Sequence, residues 1–225
     1  MGTTRLQLYN DALTLCGERY LASLEETGKP RRLLDQVWAS NGVRYCLEQG
    51  QWQFAMRTEM ITADPDVDTQ FGYSNVFDKP DDWVLTSALC SDEFMRVPLV
   101  LYRDEGDYWF ADIDPIYVSY VSNDANYGGD LSKWPASFCD YAAAEFAAKI
   151  IHSLTADSQK VQALFGRPGD IKGGELSRRR LIAKSRAAMT QATQRPAPGS
   201  WSRSRGGRQG RGPMGDGGSP GSLTG

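Results

Sequence analysis

Apolar positions follow a helical period at both ends of this chain and a strand period in its middle. The opening TTRLQLYNDALTLCGE sets Leu6, Tyr9, Leu13 and Cys16 on one face. Thr4 stands three residues before Gln7 in capping-box spacing, and Gly17 supplies a stop, so the pattern predicts a short first helix. From Pro30 to Gln49, Leu33, Leu34, Val37, Trp38, Tyr45 and Cys46 recur near 3.6 spacing, with proline at a first helical position and Gly50 beyond the end. This predicts a second helix, weakened at Asn41-Gly42.

The period then changes. Trp52, Phe54 and Met56 alternate with polar neighbours and EMITA follows, which predicts an extended exit from the helices. Further strands are expected at Arg96 to Tyr102, at Tyr108 to Ala111 across the RDEGD turn, and at Ile116 to Val121. Between them, DPDVDTQFGYSNVFDKPDDW is rich in Asp, Gly, Pro and Asn and reads as a long partner-facing loop, with one helical turn starting at Pro80 to Trp83.

Helical spacing resumes at WPASFCDYAAAEFAAKIIHSLT, where Phe138, Ala142, Phe146 and Ile150 stack and only Glu145, Lys149 and His152 form a polar stripe. Its alanines let neighbouring helices approach closely, as the middle of a bundle requires. A helix from about Ser158 to Phe165 breaks at GRPGDIKGG. A long basic helix then runs to near Arg195, with Leu181, Ile182, Ala188, Met189 and Ala192 as its apolar stripe and Arg178, Arg179, Arg180, Lys184 and Arg186 on its other side. The expected fold is α+β: a helical bundle from residues 1–57 and 131–195, an inserted small antiparallel β-lobe at 58–130, and an extended Gly/Arg-rich C-terminal arm at 196–225.

Charge separates that arm from the rest. Ten of its thirty residues are Gly and four are Pro, too little apolar surface to offset the entropy of ordering. Arg203, Arg205, Arg208 and Arg211 against Asp216 give it +3, which leaves −6 of the overall −3 on residues 1–195. An acidic body argues against nonspecific attraction to nucleic acid or anionic membrane. The arm is expected to gain order only against a partner, with Trp201 as its anchor and the arginines facing an acidic groove; extended, it spans roughly 100 Å.

Candidate chemistry is thin. Asp64, Asp66 and Asp68 alternate like the start of a calcium loop, but the sixth and twelfth positions hold Thr69 and Asn75, so the segment reads as a solvated acidic loop. Carboxylate pairs for a lytic or carbohydrate-active hydrolase can be drawn from Asp81, Asp82, Glu105, Asp112 and Asp114, a requirement too easily met to point anywhere. His152 lies on a polar helix stripe and no G-x-S-x-G elbow or phosphate-binding glycine loop precedes a helix. Cys16, Cys46, Cys90 and Cys139 lack metal-site spacing and read as reduced core thiols. No cofactor, metal or catalytic residue is expected. The start of the chain has no secretory pattern and no run reaches roughly 18 apolar residues, so a cytosolic origin without membrane insertion is expected. The basic helix and the Arg/Gly arm leave a nucleic-acid-binding alternative open.

The order of features resembles a known family. LYNDALTLCGE, YLASLEE, LLDQVW, GQWQFAMR, VFDKPDDWV, VSYVSNDANY and WPASFCDYAAAEFAAKI follow one another as in the head-to-tail adaptors of tailed bacteriophages, of the kind called tail tubular protein A, over residues 5 to about 165. The resemblance implies a virion protein assembled in the host cytoplasm. It would form a ring, most often of twelve copies, between portal and tail nozzle, with DNA passing through the centre without specific recognition. Apart from the resemblance, Arg-rich extended segments need a complementary wall, so the last helix and arm are expected to meet the portal and adjacent copies through Arg178, Arg179, Arg180, Arg186, Trp201, Arg203, Arg205, Arg208 and Arg211. The loops at 64–82 and 104–130 would face neighbouring subunits and tail components. Phe71, Tyr73, Phe77, Trp83, Trp109 and Tyr127 suit interface anchors or small satellite cores equally. The GRPGDIKGG break and the arm depart from the family pattern.

Overall fold

Thr4 opens the first helix as its sequence spacing requires: the hydroxyl accepts the Gln7 N–H at 3.2 Å. Helix α1 (Arg5–Cys16) ends where Gly17 adopts φ 71 and its N–H returns to Thr14 O, a left-handed cap suited to a residue without Cβ. The computed structural model describes residues 2–69, 72–155, 157–167 and 173–190. The expected arm, with Trp201, Arg203, Arg205, Arg208 and Arg211, lies outside them, as do Phe71 and the end of the expected basic helix.

The single helix expected from Pro30 to Gln49 is two. Helix α2 (Lys29–Ala39) stops at Ser40, Asn41 turns to φ 62, and α3 (Gly42–Glu48) begins again. Asparagine tolerates the left-handed region better than most residues, so the weak point becomes a break. The expected strand at Trp52 begins instead as a 3₁₀ turn at Gln53–Ala55, which delivers Trp52 to the helical core before β1 (Met56–Ile61) leaves it.

Among the described residues, six strands make two antiparallel three-stranded sheets. Strands β1, β3 (Trp83–Cys90) and β6 (Ile116–Ser122) form one in the order β1-β6-β3, and β2 (Asn75–Asp78), β4 (Tyr102–Glu105) and β5 (Tyr108–Ala111) form the other in the order β2-β5-β4. The faces of β6 explain the arrangement. Ile116, Val118 and Tyr120 join Phe77, Leu89, Trp109 and Ala111 in one core, while Val121, with Val84, belongs to the helical core. The first sheet is therefore sandwiched between the helices and the second sheet.

Helix α4 (Ala136–Leu154) is the core helix and touches α1, α2, α3, α5 (Ser158–Phe165) and α6 (Glu175–Thr190). Ala142, Ala143, Ala144 and Ala147 are fully buried along it. The helical core meets the sheets through an aromatic cluster. Phe138 lies 4.7 Å from Trp52, 4.8 Å from Phe54 and 4.8 Å from Trp134, ring centre to ring centre. Trp134 donates its indole N–H to Gly128 O at 2.9 Å. A Cβ at Gly128 would stand 2.3 Å from Ser122 O, so the return from β6 passes too close to the strand for any other residue. The fold is α+β, and among the described residues no helix is long and apolar enough to cross a membrane.

Candidate partner-binding surfaces

The basic helix uses its arginines differently from expectation. In α6, Arg178 and Arg179 both bond Glu175 at 2.7 Å, and Arg179 also reaches toward Asp140 of α4. Arg180 pairs with Glu145, a carboxylate only 4% exposed, and its guanidinium lies 5.6 Å from the Tyr141 ring centre. Glu145 is thus no member of an exposed stripe. The helix packs through Leu176, Ala183 and Ala187 with the partly buried Arg180 among them, while Leu181, Ile182, Ala188 and Met189 of its expected apolar stripe face outward; Ala192 lies outside the described residues. Arg186 is exposed and lines a groove.

That groove, of about 660 Å³, runs between α6 and the junction of the β-lobe with α4. Phe54, Pro135, Phe138, Ile182, Ala187 and Met189 line it, with Arg186 and Asp140 among its few charged groups. Its size falls in the range of ordinary ligand or anchor sites, and its walls suit apolar side chains.

The aromatic candidates divide. Phe77 is fully buried opposite Trp109 on the neighbouring strand, because their register points both side chains into the space between the sheets; neither presents itself to a partner. Trp83 is half-buried and donates its indole N–H to Thr86 Oγ1 at 3.1 Å. Lys79 lies 4.1 Å over the Trp83 ring and bonds Asp104 at 2.6 Å and Gly106 O at 2.7 Å. Burial pushes the Asp104 carboxyl up, yet Lys79, Thr86 and Trp109 together hold it below the usual aspartate range. Tyr127 lies under the Arg57 guanidinium at 5.5 Å.

Of the other carboxylates drawn for hydrolysis, Asp81 is exposed in the turn before β3, and three are engaged locally. Asp112 accepts the Ser74 N–H at 3.0 Å, Asp114 accepts the Ala63 N–H at 3.0 Å, and Glu105 pairs with Arg103 at 3.1 Å. Asp64 closes a turn on the Asp66 N–H at 2.8 Å. Lys79 N donates to Asp107 O and Trp83 N to Pro80 O, so the expected helical turn at Pro80 to Trp83 is a tight turn feeding β3. His152 is exposed and stacks on Phe165, with ring centres 5.7 Å apart. All four cysteines are buried free thiols, and burial raises each of them, Cys16 to about 11.

Asp82 is the hub between the sheet and the turn before it. Its carboxylate accepts from Arg57 at 2.9 Å, from Tyr120 at 3.2 Å and from Ser122. Burial raises its pKa, but these three donors outweigh burial and bring it below the usual 3.8. A group depressed in the folded state contributes stability that is present above its unfolded pKa and disappears as the pH falls through the folded one. Asp82→Asn is therefore expected to cost about 2 kcal/mol near neutral pH, as for hydrogen bonds to a charged group. Chemical denaturation as the pH falls from about 5 should show a shallower loss in the variant than in the native chain.

The surface that sequence spacing missed is the loop between β3 and β4. The run from Arg96 to Tyr102 is not a strand as expected: Pro98 sits within it, and only Tyr102 enters β4. Phe94, Val97, Val100 and Leu101 are 67, 56, 85 and 73% exposed. Proline inside an apolar run was the available signal. Comparison with family models and with curated proteins finds no match for the chain.

Proposed function

We propose that this chain is a non-enzymatic structural adaptor of a bacteriophage virion. It forms a ring, of twelve copies, between portal and tail nozzle, with DNA passing through the channel. The observation that carries this reading is the grouping of exposed apolar side chains: Phe94, Val97, Val100 and Leu101 on one loop, and Leu181, Ile182 and Met189 on one helix. Contiguous apolar patches on a soluble chain mark interaction surfaces. The order of sequence features, which resembles that of tail tubular protein A, supports this choice of assembly. The acidic body supports passage of DNA, since its net charge of −6 over residues 1–195 disfavours lasting hold on phosphates.

The nucleic-acid-binding alternative draws less support from α6, because Arg178, Arg179 and Arg180 are paired with Glu175 and Glu145. The hydrolase alternative loses support for a similar reason. Four of its five candidate carboxylates, Asp82, Glu105, Asp112 and Asp114, are tied to partners within the chain, which leaves the exposed Asp81 without a second free acid from the set.

The test is electron cryomicroscopy of the full-length chain mixed with its portal. A symmetric ring of this chain on the portal is the expected result. A chain that leaves the portal bare, or decorates it without rotational order, overturns the adaptor reading.

A further inference from the structure

The loop from Ser91 to Leu101 projects but is not slack. Ser91 N donates to Val97 O at 3.1 Å and Leu99 N to Leu89 O at 2.8 Å, so the loop folds back on the end of β3. The Asp92 carboxylate accepts the Val97 N–H at 2.7 Å and the Arg96 N–H at 3.0 Å, and Met95 takes φ 54 at the bend. These bonds hold Phe94, Val97, Val100 and Leu101 out in solvent as a preformed apolar knob. Little conformational entropy is left to lose on docking.

The complementary shape lies in the helical part of the same chain. The groove along α6 is recessed and apolar, and Ile182 and Met189 on its wall are 47 and 75% exposed. We infer that the knob of one copy seats in the α6 groove of the next. One charge pair favours this docking: Arg186 lines the groove, Glu93 stands beside Phe94 on the knob, and neither has an ion-pair partner among the described residues. The opposite charges on the two surfaces are already engaged, Asp140 of the groove facing Arg179 at 4.0 Å and Arg96 of the knob lying 5.4 Å over the Phe94 ring. The groove volume of about 660 Å³ accommodates several such side chains.

The geometry of repetition adds a second argument. Each copy carries one knob and one groove, so every contact leaves an unused knob at one end and an unused groove at the other. Such a head-to-tail contact adds copies until its rotation closes a ring. A face-to-face contact of knob with knob would stop at two. The inference deepens the adaptor reading, on which it rests, by naming the surfaces that join neighbours.

Thiol trapping tests it on the full-length chain. Val100→Cys and Met189→Cys are introduced together and treated with a short bis-maleimide; the native cysteines are buried and stay out of the reaction. The expected product is a ladder of dimers, trimers and higher species. Each singly substituted chain should stay monomeric, and Phe94→Asp added to the double variant should remove the ladder while the circular dichroism spectrum is unchanged. Absence of products above monomer, or a ladder undiminished by Phe94→Asp, overturns the contact. Dimers from a singly substituted chain overturn its head-to-tail sense. Failure of the adaptor reading looks different: the ladder forms while the portal stays bare.

Discussion

Phe138→Ala is expected to destabilise the chain by about 3–5 kcal/mol, the range for removing a large aromatic side chain from a core. Phe138 is 1% exposed, and its ring is the common neighbour of Trp52, Phe54, Trp134 and Tyr141. The surrounding rings cannot collapse into the space. Trp52 is pinned by its indole N–H to Cys46 O and Leu47 O, at 3.2 and 3.0 Å, and Trp134 by its bond to Gly128 O. Both lie where the chain passes between helices and sheet, so the loss should reach both cores. Urea denaturation followed by far-ultraviolet circular dichroism reads the cost as a lowered midpoint. A cost below about 1 kcal/mol would mean that the cluster repacks and is not the joint of the fold. Phe138 also lines the α6 groove, so Phe138→Ala should weaken thiol trapping more than an exposed substitution of equal stability does.

How far the sequence foretold this architecture depends on which force set each element. Helices α1 and α4 were legible because caps and apolar period agree: Thr4 and Gly17 bracket α1, and α4 buries Phe138, Ala142, Phe146 and Ile150 as its spacing demands. Strand β2 was read as loop and β3 was missed. Strand β2 is four residues long, and its partner β5 is named only by tertiary pairing. Along β3 the register shifts between Trp83 and Leu85 and again between Thr86 and Ala88, so the alternation that marks a strand is broken twice. The proline and aspartates before it resemble a helix start, although they close a turn.

The surfaces were legible only in part. Trp83 was placed near the surface, but Phe77 was buried by a sheet that the sequence did not reveal. The knob was mistaken for a strand because β-branched and apolar residues cluster in MRVPLVLYR, whereas hydrogen bonding at Asp92 turns that run back before it can pair along its length. Helix α6 is the clearest case of a competing principle. Large apolar residues on one face suggest the buried side, yet close packing against the alanines of α4 selects the side with Ala183, Ala187 and one arginine able to neutralise Glu145.

That arginine carries the second large effect: Arg180→Ala is expected to cost about 3 kcal/mol, the lower end for breaking a buried ion pair, since its side chain as a whole is one-third exposed. The cost comes from what stays behind. Glu145 lies in the middle of α4 among buried alanines, and without Arg180 its carboxylate has lost its bonded cation. Removing both partners should be milder than removing Arg180 alone. The Arg180→Ala, Glu145→Ala double-mutant cycle should therefore give a coupling of about 1–3 kcal/mol. Replacing the pair with Met at 180 and Leu at 145 should recover most of the stability, because packing then substitutes for charge. Arg178→Ala is the control: its bond to Glu175 is exposed, and solvent screening leaves such a pair little weight in stability. Hydrogen exchange over Glu175–Thr190 separates the outcomes, with faster exchange confined to α6 in Arg180→Ala and near-native exchange in the control. If Arg180→Ala leaves α6 protected, the helix is held by its alanine seam alone. Loss of that protection would carry the groove with it, and trapping between copies should fail with both knob and groove sequences intact.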